Sequence, residues 1–250
     1  MMRYLVLLAF TACTHAAAPS VRTWDQRFVE HDGVRIEYRM RPGRGIPVVL
    51  VPGMSNSAKD YVDNVALVDA LGDRTLIAIS IRGRGQSSSP EVGWTVAAQA
   101  SDIAAVVDRE HLARYHLVGH SMGVGYALYH ALAHRDAVAS FTAADYAPGL
   151  AALAEEFVQF IEGRPERPGF DRHIARRMFV EQPGEYAPDF AGFTVPTLAI
   201  LSTEGSAPSV EDMWKTGMPT ARVVWIEHDH DTFTSAAGRA LLVEQLERAR

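Results

Sequence analysis

Tyr115-His-Leu-Val-Gly119-His120-Ser121-Met122-Gly123-Val124-Gly125 is the stretch on which the reading of this sequence turns. Residues 115–118 form a short, mostly apolar run of the kind that makes a buried strand. The run passes through Gly-x-Ser-x-Gly into a helical pattern over 122–134. The spacing has a steric cause. A serine at the apex of a sharp strand-to-helix turn is held in a strained backbone conformation, and side chains two residues away on either side would collide, so both positions need glycine. The turn exposes the hydroxyl, and the helix that follows aims its positive end at any negative charge developing there. Gly125 further permits close packing of that helix. Gly-x-Ser-x-Gly alone is common by chance; here it has the strand and helix flanks that the turn requires.

Working outward, similar continuous apolar runs occur at 46–51, 75–81, 138–143, 197–201 and 223–226. Runs without alternation suit strands buried on both faces, as in a parallel sheet. Between them lie helical patterns at 58–71, 96–109 and 235–248. Strand and helix in alternation predict an α/β fold with a doubly wound, mainly parallel sheet. An antiparallel hairpin is predicted at its start, where 27–30 and 35–40 flank His31-Asp-Gly-Val. Residues 147–195 break the rhythm. They hold no convincing strand and contain six of the ten phenylalanines, with Leu153, Phe157, Phe160 and Ile161 at helical spacing. A helical insertion is expected there, packed over something, with most of its aromatics filling its own core.

With these motifs in view, the sequence resembles the α/β-hydrolase family over most of residues 24–250. Val48-Val-Leu-Val-Pro52-Gly53-Met54 resembles the family's strand ending in His-Gly-x, with Pro52 where the histidine usually sits. Ser80-Ile-Arg82-Gly83-Arg84-Gly85-Gln86-Ser87 resembles its Asp-x-Arg-Gly-x-Gly-x-Ser turn, with Ser80 replacing the aspartate. The resemblance implies a mostly parallel eight-stranded sheet flanked by helices, with 21–146 and 196–250 as the core and 147–195 as a small helical cap. It also implies Ser121 as nucleophile and an oxyanion hole made by the backbone amides of Met122 and Met54.

A serine hydroxyl needs a base within hydrogen-bond reach. The family places its histidine after the last strand, where Ile226-Glu-His228-Asp-His230-Asp lies; His230 fits the loop position better than His228. A metal site in this His-Asp-His-Asp run is not expected, because four adjacent residues cannot all point at one ion. For the carboxylate partner, the commonest family position follows the seventh strand in a Gly-x-x-Asp pattern. Here Ser202-Thr-Glu204-Gly205 puts glycine where the aspartate belongs, with Glu204 one residue early. The other family position, at the end of the sixth strand, holds Asp145, which is preferred while Glu204 stays open.

The 250-residue chain suffices for one full α/β domain, and 48% apolar with 22% charged residues is ordinary globular usage. A net charge of −6 lacks the footprint of a nucleic-acid binder. The single cysteine, Cys13, excludes an intramolecular disulfide and a cysteine zinc site. Arg3, an apolar run over 4–10 and Thr11-Ala12-Cys13 have the layout of an export signal, too short to span a bilayer as an ordinary helix. Small residues before Cys13 also resemble a lipoprotein signal, though Phe10 weakens that match; an extension from a misassigned start is the plain alternative. Residues 1–20 are expected to stand outside the fold, and the protein to be exported, periplasmic or anchored through Cys13, with a cytoplasmic setting as the alternative.

The expected chemistry is hydrolysis of a carboxylic ester, lactone or small lipid without a cofactor, a small acyl compound being the expected partner. Serine at the turn argues against the dehalogenase and epoxide-hydrolase reactions, for which the family uses aspartate. The rivals are other reactions on the same site (C–C hydrolysis, acyl transfer to an alcohol, perhydrolysis) and a noncatalytic binding protein that keeps the fold as a ligand cup.

Overall fold

The structure, a computed structural model, describes residues 23–166 and 168–249; Cys13 and the export-like segment lie outside them. The chain opens with the expected hairpin, β1 (Asp25–His31) and β2 (Val34–Arg41). At its turn Asp32 and Gly33 have φ of 49° and 74°, the left-handed pair that a two-residue turn demands. Then follow β3 (Arg44–Val51), β4 (Arg74–Ser80), β5 (Tyr115–His120), β6 (Val138–Ala144), β7 (Thr197–Ser202) and β8 (Arg222–Ile226). They form one eight-stranded sheet in the order β1-β2-β4-β3-β5-β6-β7-β8. Only β2 runs against its neighbours; every other pairing is parallel. This is the α/β-hydrolase fold, with the mostly parallel sheet that the unbroken apolar runs predict.

Alternate residues of the strands feed two cores. Val49, Val51, Ile77 and Ile79 face α3 (Val96–Arg109) and α4 (Gly123–Ala133). Val48, Leu50, Leu76 and Ala78 face α1 (Ala58–Asp63), α2 (Val65–Ala70) and α8 (Ala236–Arg248). The single helix predicted over 58–71 is therefore two. Asn64 leaves the helical region (φ −78°, ψ 74°) and its side chain accepts the Leu67 N–H, ending one helix and capping the next. Between β6 and β7 lie α5 (Glu155–Glu162) and α6 (Ile174–Glu181), with no named strand among the described residues there. A further helix, α7 (Ser209–Gly217), was not anticipated. Its one fully buried side chain, Trp214, is too little apolar patterning to stand out in a charged segment.

Two buried histidines, His116 on β5 and His130 on α4, are expected to make the fold acid-sensitive. His116 and His130 are buried, and desolvation holds their pKa values down to about 4 and about 3, helped by Arg74 and Arg114 for the first and His134 for the second. The native state keeps both neutral while the unfolded chain takes up protons below about pH 6.5. Their contribution is thus present above that pH and is lost as pH falls toward the folded values. Each is expected to cost up to roughly 1.4 kcal/mol per pH unit in this window. Urea unfolding at pH 7, 6, 5 and 4 should show the decline, and His116→Asn should make it shallower. A decline equally steep in that variant would contradict the assignment.

Candidate active site

At the end of β5 the chain turns sharply. Ser121 sits at φ 53°, its N–H donates to Ala144 O at 2.8 Å, and its own carbonyl accepts the Val124 N–H at 2.8 Å to start α4. The flanking glycines leave room for backbone rather than for side chains. A Cβ on Gly123 would lie 2.4 Å from Pro52 O, and one on Gly53 would lie 2.9 Å from the Ser121 Cβ. The end of β3 therefore rests directly against the serine turn, and Met54 and Met122 line the same cavity as Ser121.

Asp145 follows β6, also at φ 53°, in the slot between the ends of β6 and β7. Its side chain is fully buried. Oδ1 accepts from the Ser202 N–H at 2.7 Å and from Ser206 Oγ at 2.6 Å, and Oδ2 pairs with His230 Nδ1 at 2.6 Å. Burial by itself would raise the carboxyl's pKa. The hydrogen bonds from His230, Ser206 and Ser202 outweigh it and hold the group below the ordinary 3.8. An Nδ1–H directed at this carboxylate leaves the imidazole's lone pair on Nε2. His230 itself is half-exposed, 47% against none for its partner, so one end of the pair is fixed and the other opens toward solvent.

The structure thus brings His230 to Asp145 and not to Glu204. Glu204 is exposed, and its backbone N–H donates to His228 O at 3.1 Å. His228 pairs instead with Asp229 at 2.7 Å. Gly205, the seeming vacancy, is a steric requirement: a Cβ there would lie 1.8 Å from Asp145 Oδ2. The carboxylate from β6 fills the space that a side chain after β7 would need. Gly205→Ala is accordingly expected to destabilise the fold by about 1–3 kcal/mol through overpacking and to loosen the Asp145–His230 pair. Urea unfolding together with turnover checks this; a variant equal to wild type in both would show that the slot has slack.

The loop carrying His230 is held from the elbow side too. His120, the variable residue of Gly-x-Ser-x-Gly, bonds through Nε2 to the His230 carbonyl at 2.8 Å, its ring 5.0 Å from that of His230. Burial lowers the pKa of His120, which favours the neutral ring in this contact.

Ser121, Asp145, His230, Met54 and Met122 open into a cavity of about 650 Å³. Its walls are largely apolar, and Leu153, Phe157, Phe160 and Ile161 all contribute, so the predicted apolar face covers this cavity. Of the six inserted phenylalanines, Phe193 is buried and Phe170, Phe179 and Phe190 pack beside it against the main core rather than a core of their own, while Phe157 and Phe160 are exposed by 37% and 64%. Among the described residues Arg164 is the one arginine or lysine in the wall. It is half-buried, and among the described residues no carboxylate pairs with it, because Arg176 takes Glu155 and Glu162 and Arg172 takes Glu166.

Sequence reasoning missed three supports of the site. Ser206 was not singled out, although it anchors Asp145. Glu37, on β2, ties Ser80 to the turn that follows it: its Oε2 accepts from Ser80 Oγ at 3.0 Å and from the Gln86 N–H at 2.7 Å. Arg84 lies within the noted Arg82-Gly-Arg-Gly turn, yet it is fully buried. Its Nε reaches Gly53 O at 3.1 Å and Met54 O at 2.9 Å, and its Nη1 reaches Arg82 O at 3.0 Å and Gln99 Oε1 at 3.1 Å.

Comparison with known proteins places this geometry. The chain is 35% identical over 102 residues to the N-formylmaleamate deformylase of Pseudomonas putida, 40% of this chain and 37% of that protein. It is 30% identical over 127 residues to the soluble epoxide hydrolase of a Corynebacterium species, 50% of this chain and 43% of that protein. The matched part thus spans less than half the length of either relative. Among solved structures, Est816, described as an N-acyl homoserine lactone degrading enzyme, superposes with a TM-score of 0.71 at 22% identity, over 89% of this chain and 99% of the other, a likeness of fold. A family model described as the alpha/beta hydrolase family matches residues 48–249, from the strand before the Pro52-Gly53-Met54 turn through the final helix. With that span containing the serine turn, Asp145 and His230, the chain belongs to the alpha/beta hydrolase family.

Proposed function

We propose that this protein is a serine hydrolase that cleaves a carboxylic ester or a related acyl bond through an acyl-enzyme on Ser121. The observation that carries the reading is the buried Asp145 bonded to His230 Nδ1 in the cavity that Ser121 also lines. In this reading His230 Nε2 takes the proton of the Ser121 hydroxyl as Oγ bonds to the acyl carbon. The amides of Met54 and Met122 hold the oxyanion. The carbonyl re-forms as the bond to the leaving group breaks, and the imidazolium returns the proton to that group. Water, deprotonated by the same nitrogen, then releases the acid. Residues 147–195 act as a cap whose Phe157 and Phe160 receive the acyl chain. Serine rather than aspartate at the apex argues against the epoxide opening for which one relative is named.

A fluorophosphonate probe tests the reading: it should label wild-type protein stoichiometrically, on the peptide containing Ser121. Absence of labelling in folded protein would favour the binding-cup alternative.

Arg164, which no carboxylate of the described residues pairs, stands in a largely apolar wall and favours acyl groups that end in a carboxylate, in keeping with the relative named for a maleamate. Methyl hydrogen dicarboxylates of four to eight carbons should give higher kcat/KM than methyl alkanoates of equal length, and added salt should narrow the gap. A preference for the neutral series at every length would contradict this part of the proposal.

A further inference from the structure

We propose that Arg84 is a positioning residue that polarises the Gly53–Met54 peptide from behind and so strengthens the Met54 N–H as an oxyanion donor. The inference rests on the acyl-transfer reading above and deepens it. An amide whose carbonyl accepts a hydrogen bond becomes a better donor at its N–H, because each bond polarises the peptide group that makes the next. The carbonyl of that peptide is Gly53 O, and Arg84 Nε lies 3.1 Å from it; Nε also lies 2.9 Å from Met54 O, one peptide further on. One N–H thus ties down both carbonyls that bracket the donor.

The charge matters as much as the bonds. Arg84 is fully buried, and among the described residues its partners are neutral: the two carbonyls already named, Arg82 O, Gln99 Oε1 at 3.1 Å and Tyr126 OH at 3.5 Å. The guanidinium also sits 5.6 Å from the Tyr126 ring centroid. Neighbouring Arg82 is different, since it is matched by Asp102 at 2.6 Å. A buried cation without a carboxylate is costly to keep, and it projects positive potential through a medium that screens it weakly. Here that potential falls on the peptide facing the nucleophile, where acyl transfer develops negative charge. The Met122 peptide is polarised by a neutral donor instead, its carbonyl (Ser121 O) accepting from the Val124 N–H at 2.8 Å. In this proposal the two donors of the oxyanion hole differ in that only Met54 is backed by a buried charge, which makes it the stronger.

Two substitutions separate polarisation from mere bracing. Arg84→Gln removes the charge while keeping donors. Gln99→Glu keeps the guanidinium and gives it a carboxylate in place of a neutral oxygen, at the loss of the Gln99 Nε2 donations, among them the bond to Trp94 O and the contact with Tyr126. Both are expected to lower kcat by about 10–100-fold with a much smaller change in KM, and to weaken binding of a boronic-acid transition-state analogue by the same factor. A bracing role alone predicts that Gln99→Glu, judged folded by its thermal transition, keeps both values. Arg84→Lys should recover part of the kcat lost in Arg84→Gln, since it restores charge without the planar fork. In the wild type, NMR should show the Met54 amide proton moving further downfield than that of Met122 when the boronic acid binds, a readout that needs no variant to fold. Folded variants with kcat and analogue affinity within twofold of wild type, or equal displacement of the two amides, would overturn the proposal. Wild-type protein that neither reacts with a fluorophosphonate nor turns over any ester would instead overturn the acyl-transfer reading itself.

Discussion

Replacing Ser121 by alanine is expected to lower turnover of a short p-nitrophenyl ester by about 10⁶-fold, the scale at which removal of the nucleophile of a serine hydrolase operates. Folding stability should change little. Ser121 occupies the left-handed region at φ 53°, where any residue with a Cβ pays about the same strain, and the hydrogen bonds that fix the turn are made by backbone. Loss of activity at an unchanged urea midpoint therefore isolates the hydroxyl. Residual turnover within tenfold of wild type would remove Ser121 from the chemistry, whatever the probe had labelled.

Asp145→Asn is expected to cost about 10⁴-fold in kcat with the fold intact. Asparagine is among the residues that best tolerate a positive φ, which suits position 145 at 53°. Its side-chain oxygen can still accept from the Ser202 N–H and Ser206 Oγ. What changes is the face toward His230. An NH₂ group there forces Nδ1 to accept, which puts the proton on Nε2 and removes the lone pair that the serine proton needs. Glu204→Gln serves as the comparison and should stay within about threefold of wild type. A larger loss from Glu204→Gln than from Asp145→Asn would mean that the loops rearrange during catalysis to bring Glu204 to the imidazole.

The parts of this molecule governed by local rules could be read directly from the chain. The unbroken apolar runs announced buried parallel strands, and Asp32-Gly33 announced a hairpin turn. Gly119, Ser121 and Gly123 marked a strand-to-helix elbow because its backbone tolerates little else. Two features were obscured by weak or misleading patterning: the break at Asn64 inside one helical period, and α7, whose apolar face is nearly one tryptophan. The site was legible where a motif fixed it and ambiguous where partners come from distant segments. Which carboxylate meets His230 depends on the slot between β6 and β7, and the deciding residue is Gly205, which has no side chain to advertise it. Arg84 and Glu37 were hidden for a related reason. Their charges suggested surface, and only the packing of the Pro52-Gly53-Met54 turn and the Ser80–Gln86 turn against them reveals buried supports.

Rapid quenching of the wild-type protein with a p-nitrophenyl ester, followed by mass analysis of the peptide containing Ser121, tests the central claim most directly. An acyl adduct on that serine should form within the first turnover, in step with a burst of p-nitrophenol close to one equivalent. Turnover with no adduct and no burst, in the same protein and on the same substrate, would restrict the mechanism to rate-limiting acylation; an adduct on a different residue, or a full burst of p-nitrophenol with no adduct on Ser121, would contradict the acyl-enzyme on Ser121.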